Sequence, residues 1–453
     1  MKFDYKGRVP YQVSININAI QRDDTPIHGW YRFVLSYPPH LVRRYIDRFG
    51  LTRRQQLFDP FCGTGTTLVE AKKRGIPSVG CDAHPFAVLV SRVKTNWSLD
   101  ADLLSSLLRS ILVSAEQQMI RHHLPPLSFY TLLVKEDLAN GRNGYQLSED
   151  AAKLLPTGFL SDKPLQRLLI LRDEIEQHSN RHPVAVKEFF LAGLAHVIAN
   201  GAGNFAFGPE IYRTKPKSDF DVLEGFANHA NLMILELQRA QMQGWEGVKC
   251  RVFLDDARSL ENIPTGISAV ITSPPYPNEK DYTRTTRVES LLLGLLKDRE
   301  GLRNMKESLL RSNTRNVFVD DEDGAEVADF ADIREVCERI EQRRIELGKT
   351  SGFEKLYHKV VAHYFGGMRR HFRALHPRLK PKAKLAYVVG DQLSFLMVPV
   401  ATGELLGQVA EAEGFKVIGR ELWRERFGTK VRNARTKMRS IKIREEVLLM
   451  EKR

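Results

Sequence analysis

Two short runs hold the residues best suited to chemistry. The first is Phe58-Asp59-Pro60-Phe61-Cys62-Gly63-Thr64-Gly65-Thr66-Thr67, lying between an apolar run and a helical pattern. Glycines at 63 and 65 let a backbone turn tightly and approach a ligand closely. Asp82 closes the next apolar run, where a carboxylate can accept hydrogen bonds from ribose hydroxyls. Asp59, just before the turn, would repel a pyrophosphate but suits an ammonium group. A phosphate-cradling loop would need Gly-Lys-Ser/Thr, whereas the first lysine after this turn is Lys72. A dinucleotide fingerprint would need glycine where Leu68 stands. The ligand these residues favour has a ribose and a positively charged amino-acid end, a description that S-adenosylmethionine meets.

The second run, Thr272-Ser273-Pro274-Pro275-Tyr276, follows the apolar stretch Ile267–Ile271. It therefore falls at the carboxyl end of a strand, where open α/β sheets carry their chemistry. Consecutive prolines fix φ and supply no N–H donors. The loop then offers carbonyls and the Ser273 hydroxyl as acceptors, in a rigid frame beside an aromatic face. Such a frame suits an exocyclic amine on a planar base: the acceptors take its two hydrogens while Tyr276 stacks on the ring. Ser273, Pro274, Pro275 and Tyr276 are the candidate catalytic residues. Attack by an amine needs no thiolate, so Cys62 and Cys81 are read as packing residues. The four cysteines are widely spaced, which suggests neither a disulfide framework nor a zinc site, and no metal is expected.

Positioning these residues requires a sheet. Short β-like runs at Leu57–Phe61, Ser78–Asp82, Val248–Leu254, Ala269–Thr272 and Leu385–Gly390 are each closed by polar, Gly or Pro residues. Buried runs followed by helical patterns predict an α/β fold with a doubly wound, mostly parallel sheet. Two stretches leave this rhythm and are expected as largely helical insertions. The expected division is 1–99 as the cofactor-binding half, 100–245 as a first insertion and candidate target-recognition region, and 246–296 as the catalytic part. A charged insertion at 297–375 and closing strands with a basic segment at 376–453 follow. The Gly-rich stretch at 200–210 reads as a loop joining helices.

The chain has 453 residues, with 68 Lys+Arg against 55 Asp+Glu and a formal charge of +13. Hydrophobic residues make up 42%, which excludes wholesale disorder. No apolar stretch is read as reaching the ~18 residues a membrane helix needs, and MKFDYKGRVP has no apolar signal region. The expectation is a cytoplasmic protein without a membrane partner. The positive excess points to a polyanion. Its candidate contacts are Arg432, Arg435, Lys437 and Arg439 in an acid-free run, and Arg213 and Lys215 after the Gly-rich stretch.

FDPFCGTGTT, CDAHP and TSPPY together resemble the amino-group DNA methyltransferases, which methylate cytosine N4 or adenine N6 using S-adenosylmethionine. HGWYRFVLSYPPHLVRRYID, PNEKDYTRTTRVESLLLG and LAYVVGDQ also have that family's look. The resemblance implies a Rossmann-like methyltransferase fold, double-stranded DNA as substrate and a target base flipped from the stack. It implies that Asp59, Phe61, Gly63 and Gly65 form the cofactor turn and that Asp82 holds the ribose. Asp256, rather than Asp255, would meet the adenine amino group, and His28, Trp30 and Tyr31 would either close the pocket or form a packed aromatic cluster. Serine before Pro-Pro-Tyr leans towards cytosine N4 within the family. The chain departs from it in the large helical stretches between and after the motifs, which leave open which one recognises DNA. The competing readings are adenine N6 methylation, methylation of RNA at guanine N2, and a non-catalytic DNA-binding subunit. No nuclease motif is visible, so a restriction nuclease would be a separate partner.

Overall fold

A computed structural model describes residues 21–33, 35–124, 127, 145–208, 210–427, 431–433, 436–439 and 442–453, with side chains at 426–442 excepted. In chain order the strands are β1 (Leu57–Asp59), β2 (Ser78–Asp82), β3 (Phe205–Phe207), β4 (Ile211–Arg213), β5 (Cys250–Leu254) and β6 (Ile267–Thr272). They continue with β7 (Leu379–Gly390), β8 (Phe415–Phe427), β9 (Val431–Asn433), β10 (Thr436–Arg439) and β11 (Lys442–Lys452). The longer helices are α1 (Pro39–Phe49), α2 (Thr66–Lys73), α3 (Pro85–Thr95), α4 (Ala101–Arg121), α5 (Asp162–Ser179) and α6 (Val184–Val197). After them come α7 (Val222–Met242), α8 (Arg299–Ser308), α9 (Ala331–Glu346), α10 (Tyr357–Leu375) and α11 (Thr402–Ala412).

Seven strands form one sheet in the order β5-β2-β1-β6-β7-β11-β8. The first five pair in parallel, and β11 runs antiparallel between β7 and β8. The chain winds outward from β1 to β2 and β5, then returns to start the other half at β6. The switch point therefore lies between β1 and β6, where such sheets open a crevice at their carboxyl edge. Because β11 is antiparallel, its first residues reach that same edge, with Glu445 opposite Gly390.

Both faces of the sheet are covered, which is why its central strands read as apolar runs rather than alternating ones. Ala386 and Val388 of β7 point to one face, with Leu41, Tyr45 and Phe49 of α1. Leu385, Tyr387 and Val389 point to the other, against Tyr364, Met368 and Phe372 of α10 and Leu406 of α11. Helices α4 to α7 assemble around a further apolar cluster that reaches α3 through Phe86 and Val90.

Three expectations need correction. Helix α10 lies within the segment expected as a charged insertion, yet it is the sheet's own crossover helix between β6 and β7. Its Arg369, Arg370 and Arg373 ride on the outer side and mask the buried stripe when composition is averaged. The stretch at 200–210 is no plain connection: a π-helical turn, Ile198–Ala202, leads into the hairpin β3–β4. There Lys217 Nζ donates to the carbonyls of Gly201 and Gly203, both at 2.5 Å, satisfying groups that a helix end leaves open. Finally, Val184–Ala202 is long and apolar enough to cross a membrane by length and composition, and 56% of its apolar window is buried. It packs against α3, α5 and α7.

Gly366 in α10 lets the turn at Asp323–Val327 touch the helix: an added Cβ would sit 1.6 Å from the Asp323 carbonyl oxygen. Backbone cannot yield as a flexible side chain does. Gly366→Ala is therefore expected to cost about 1–3 kcal/mol of stability, read as a lower urea midpoint by circular dichroism. An unchanged midpoint would mean that the turn is free to move.

Candidate active site at the carboxyl edge of the sheet

A cavity of about 660 Å³ opens over the switch point, within the range of small-molecule sites. Its wall draws on Phe61 and Gly63 after β1, Asp82 at the end of β2 and Asp256 after β5. Ser273, Pro274, Pro275 and Tyr276 after β6 complete the opposite side. The two motifs thus share one cavity.

The glycine turn is built as its residues require. Gly63 and Gly65 take φ of +48° and +86°, the left-handed region that side chains disfavour. The Gly63 N–H donates to Asp82 Oδ2 at 3.0 Å, and the His84 N–H to Asp82 Oδ1 at 2.9 Å. Burial pushes the Asp82 carboxyl up to about 6, and those two donors pull it back. Asp256 is clasped by Arg258, with Nη2 at 2.7 Å, and Arg258 in turn donates to Asp323 at 2.8 Å. Asp255 lies off the wall, accepting the Asn262 N–H at 2.8 Å.

Ser273 donates its proton to the Val388 carbonyl at 3.1 Å, which leaves its lone pairs as acceptors. The Tyr276 hydroxyl lies 3.4 Å from Ser273 Oγ and 3.3 Å from Glu445 Oε1, to which it donates. Gly390 clears the room: an added Cβ would approach the Tyr276 ring to 3.2 Å.

Several expected residues stand elsewhere. Asp59 is fully buried and off the wall, so it offers no face to an ammonium group. Instead its carboxylate accepts from Thr272 Oγ1 at 2.6 Å, Tyr37 OH at 2.9 Å and the Phe61 N–H at 3.2 Å. Burial pushes this carboxyl up to about 6 against those three donors. Gly65 is also off the wall, packed so close to Ser91 that a Cβ would meet Oγ at 3.1 Å. Trp30 and Tyr31 are 1% exposed and turned into the protein, where Trp30 Nε1 donates to Glu236 at 2.8 Å and Tyr31 OH to Glu289 at 2.7 Å. His28 is likewise buried, against Glu70 at 2.8 Å, and burial lowers it to about 4. These aromatics serve as anchors; Phe33, Ser36 and Tyr37, a few residues on, line the cavity instead.

Arg213 and Lys215 are exposed, at the end of β4 and just beyond it, while Glu210 between β3 and β4 reaches the cavity wall. Arg432, Lys437 and Arg439 fall in β9 and β10, whose side chains are outside the described residues, as is Arg435 altogether. Sequence reasoning missed Tyr37, Trp423, Arg424 and Glu445, all on the wall. Glu445 did leave a signal: a carboxylate pair, Glu445-Glu446, leads into the apolar run of β11.

The doubly wound sheet, with the glycine turn after β1 and the Ser-Pro-Pro-Tyr loop after β6, has a Rossmann-like fold of the methyltransferase type. Residues 15–92 match a family described as DNA methylase. The chain is 25% identical over 421 residues to the type II methyltransferase M.BsoBI of Geobacillus stearothermophilus, covering 86% of this chain and 79% of that one. It is 24% identical over 312 residues to the type II methyltransferase M.MvaI of Kocuria varians, with coverages of 65% and 64%. A 68-residue stretch is 37% identical to the type II methyltransferase M.MjaII of Methanocaldococcus jannaschii, covering 15% and 13%. Among solved structures, TrmN from Thermus thermophilus aligns at 11% identity and a TM-score of 0.28, over 95% of this chain and 53% of that one, and adds nothing to the topology above. The resemblance to amino-group DNA methyltransferases read from the motifs holds in the sequence comparisons as well.

The raised Asp59 carboxyl has a consequence for stability. Between about pH 4 and 6 the folded chain holds a proton that the unfolded chain has lost, so this group makes stability fall as pH rises through that window. Asp59→Asn removes the titration. The variant's stability relative to the parent is expected to improve by on the order of 1–3 kcal/mol between pH 4.5 and 7.5. Urea midpoints at both pH values measure it; a constant difference would mean that burial does not raise the Asp59 carboxyl.

Proposed function

We propose that this chain is a site-specific DNA methyltransferase that moves a methyl group from S-adenosylmethionine to the exocyclic amine of a flipped base, cytosine N4. The observation that carries the reading is the shared cavity: Asp82 and Asp256 line one side and Ser273 to Tyr276 the other. The type II methyltransferase relatives support amino-methyltransferase activity on DNA, and the +13 charge suits that substrate. Their type II naming also supports a restriction–modification setting, with any nuclease a separate partner.

The residues fit the cofactor. Asp82 offers carboxylate acceptors to a ribose, Asp256 an acceptor to an adenine amine, and the open backbone at Gly63 allows close approach. S-adenosylmethionine, when bound, supplies a methyl group made electrophilic by the positive sulfur. The protein's work is then orientation, which can lower a barrier by ~7–11 kcal/mol. Ser273 and the proline carbonyls take the amine's hydrogens, orienting its lone pair towards the cofactor side. Tyr276 offers a stacking face that offsets the few kcal/mol of flipping. Adenine N6 presents the same two hydrogens to this frame; serine at position 273 is the feature that favours cytosine.

Ser273→Ala and Tyr276→Ala are each expected to lower kcat for labelled methyl transfer to duplex DNA roughly 100-fold or more. Calorimetric affinity for S-adenosylmethionine should stay within about twofold. Parent-like turnover in both variants would remove this loop from the reaction.

A further inference from the structure

The cavity continues past Tyr276 to a charged pair that neither motif includes. Glu445, at the start of β11, accepts from Tyr276 OH on one oxygen and from Arg424 Nε, at the end of β8, on the other. Arg424, Glu445 and the neighbouring Trp423 all line the cavity. Ser273, Tyr276, Glu445 and Arg424 thus form a continuous polar chain across the edges of β6, β7, β11 and β8. Its steps from Ser273 are 3.4 Å and 3.3 Å before the ion pair.

The pair is only partly exposed, with Arg424 at 27% and Glu445 at 9%, so it stands in a shielded setting rather than on the rim. Glu445 engages one edge of the guanidinium. A guanidinium has five N–H donors in a planar fork, suited to two acceptors side by side. We propose that Arg424, held by Glu445, reads the acceptor edge of the flipped base and so selects cytosine. With the exocyclic amine at Ser273, cytosine turns N3 and O2 towards that fork, and both are acceptors. Adenine in the same pose offers N1 and then a C–H, leaving half of the fork unmatched. This selection rests on the cytosine N4 reading above. Glu445 acts through Arg424 and Tyr276, which it holds on its two oxygens, and is a positioning residue.

The test uses the full chain and a duplex carrying its recognition sequence, located by sequencing methylated plasmid. The target is either cytosine or 3-deazacytosine, in which C–H replaces N3. The parent, Arg424→Met and Arg424→Lys are compared by kcat/KM on both duplexes, and calorimetry with S-adenosylmethionine checks that each variant retains its cofactor site. The parent is expected to prefer cytosine by a ratio at least tenfold larger than that of Arg424→Met, with Arg424→Lys between them. The analogue's own altered reactivity cancels in that comparison. Equal ratios within twofold for parent and Arg424→Met would overturn the role of Arg424. Formation of N6-methyladenine by the parent would instead overturn the cytosine reading, a result visible before any variant is compared.

Discussion

A single buried carboxylate joins the two halves of this site. Asp59 ends β1, and its oxygens hold the Thr272 hydroxyl at the end of β6, the Tyr37 hydroxyl and the first N–H of the glycine turn. Thr67, opening α2, adds a bond from its hydroxyl to the Ile271 carbonyl at 3.2 Å. Since β1 and β6 flank the switch point, these bonds tie the glycine turn to the Ser-Pro-Pro-Tyr loop. A carboxylate without solvent is costly unless its acceptors are filled. Here three donors fill them, and their geometry sets how the two motifs face one another.

The outer parts of the cavity are held by longer chains of contacts that end on the same helix. Asp256 is fixed by Arg258, Arg258 by Asp323, and Asp323 by close approach to Gly366 and by Arg370 at 2.6 Å. His371, one turn further along α10, bonds the Ala257 carbonyl and the Tyr387 hydroxyl, both at 2.7 Å, and packs on Phe61. Burial lowers this imidazole to about 4, so it is neutral in neutral solution and serves as a hydrogen-bonded strut. Sheet polarity does the rest: one antiparallel strand, β11, brings Glu445 to the edge where the parallel strands end.

Much of this was legible in the sequence, because the central strands are apolar on both faces and each ends in a residue type that loops need. The glycine turn, Asp82 and the Ser-Pro-Pro-Tyr loop could be read as cavity residues from type and order, and Asp256 only from the family resemblance. Residues whose place depends on long-range packing could not. Asp59 has the right chemistry for an ammonium group, yet Thr272 and Tyr37, far apart in sequence, claim its oxygens. Trp30 and Tyr31 carry polar tips, and only the folded chain reveals that Glu236 and Glu289 receive them. Helix α10 was hidden by charge on its outer face, and Arg424 by its place within a long strand at the sheet edge.

The central claim is that the shared cavity methylates an amine on DNA. Nucleoside mass spectrometry of plasmid DNA from cells expressing the chain, against a Ser273→Ala control, tests it most directly. The account predicts an N4-methylcytosine signal with the parent and none with the control. DNA free of any added methylated base in both, or an equal signal in both, would contradict it.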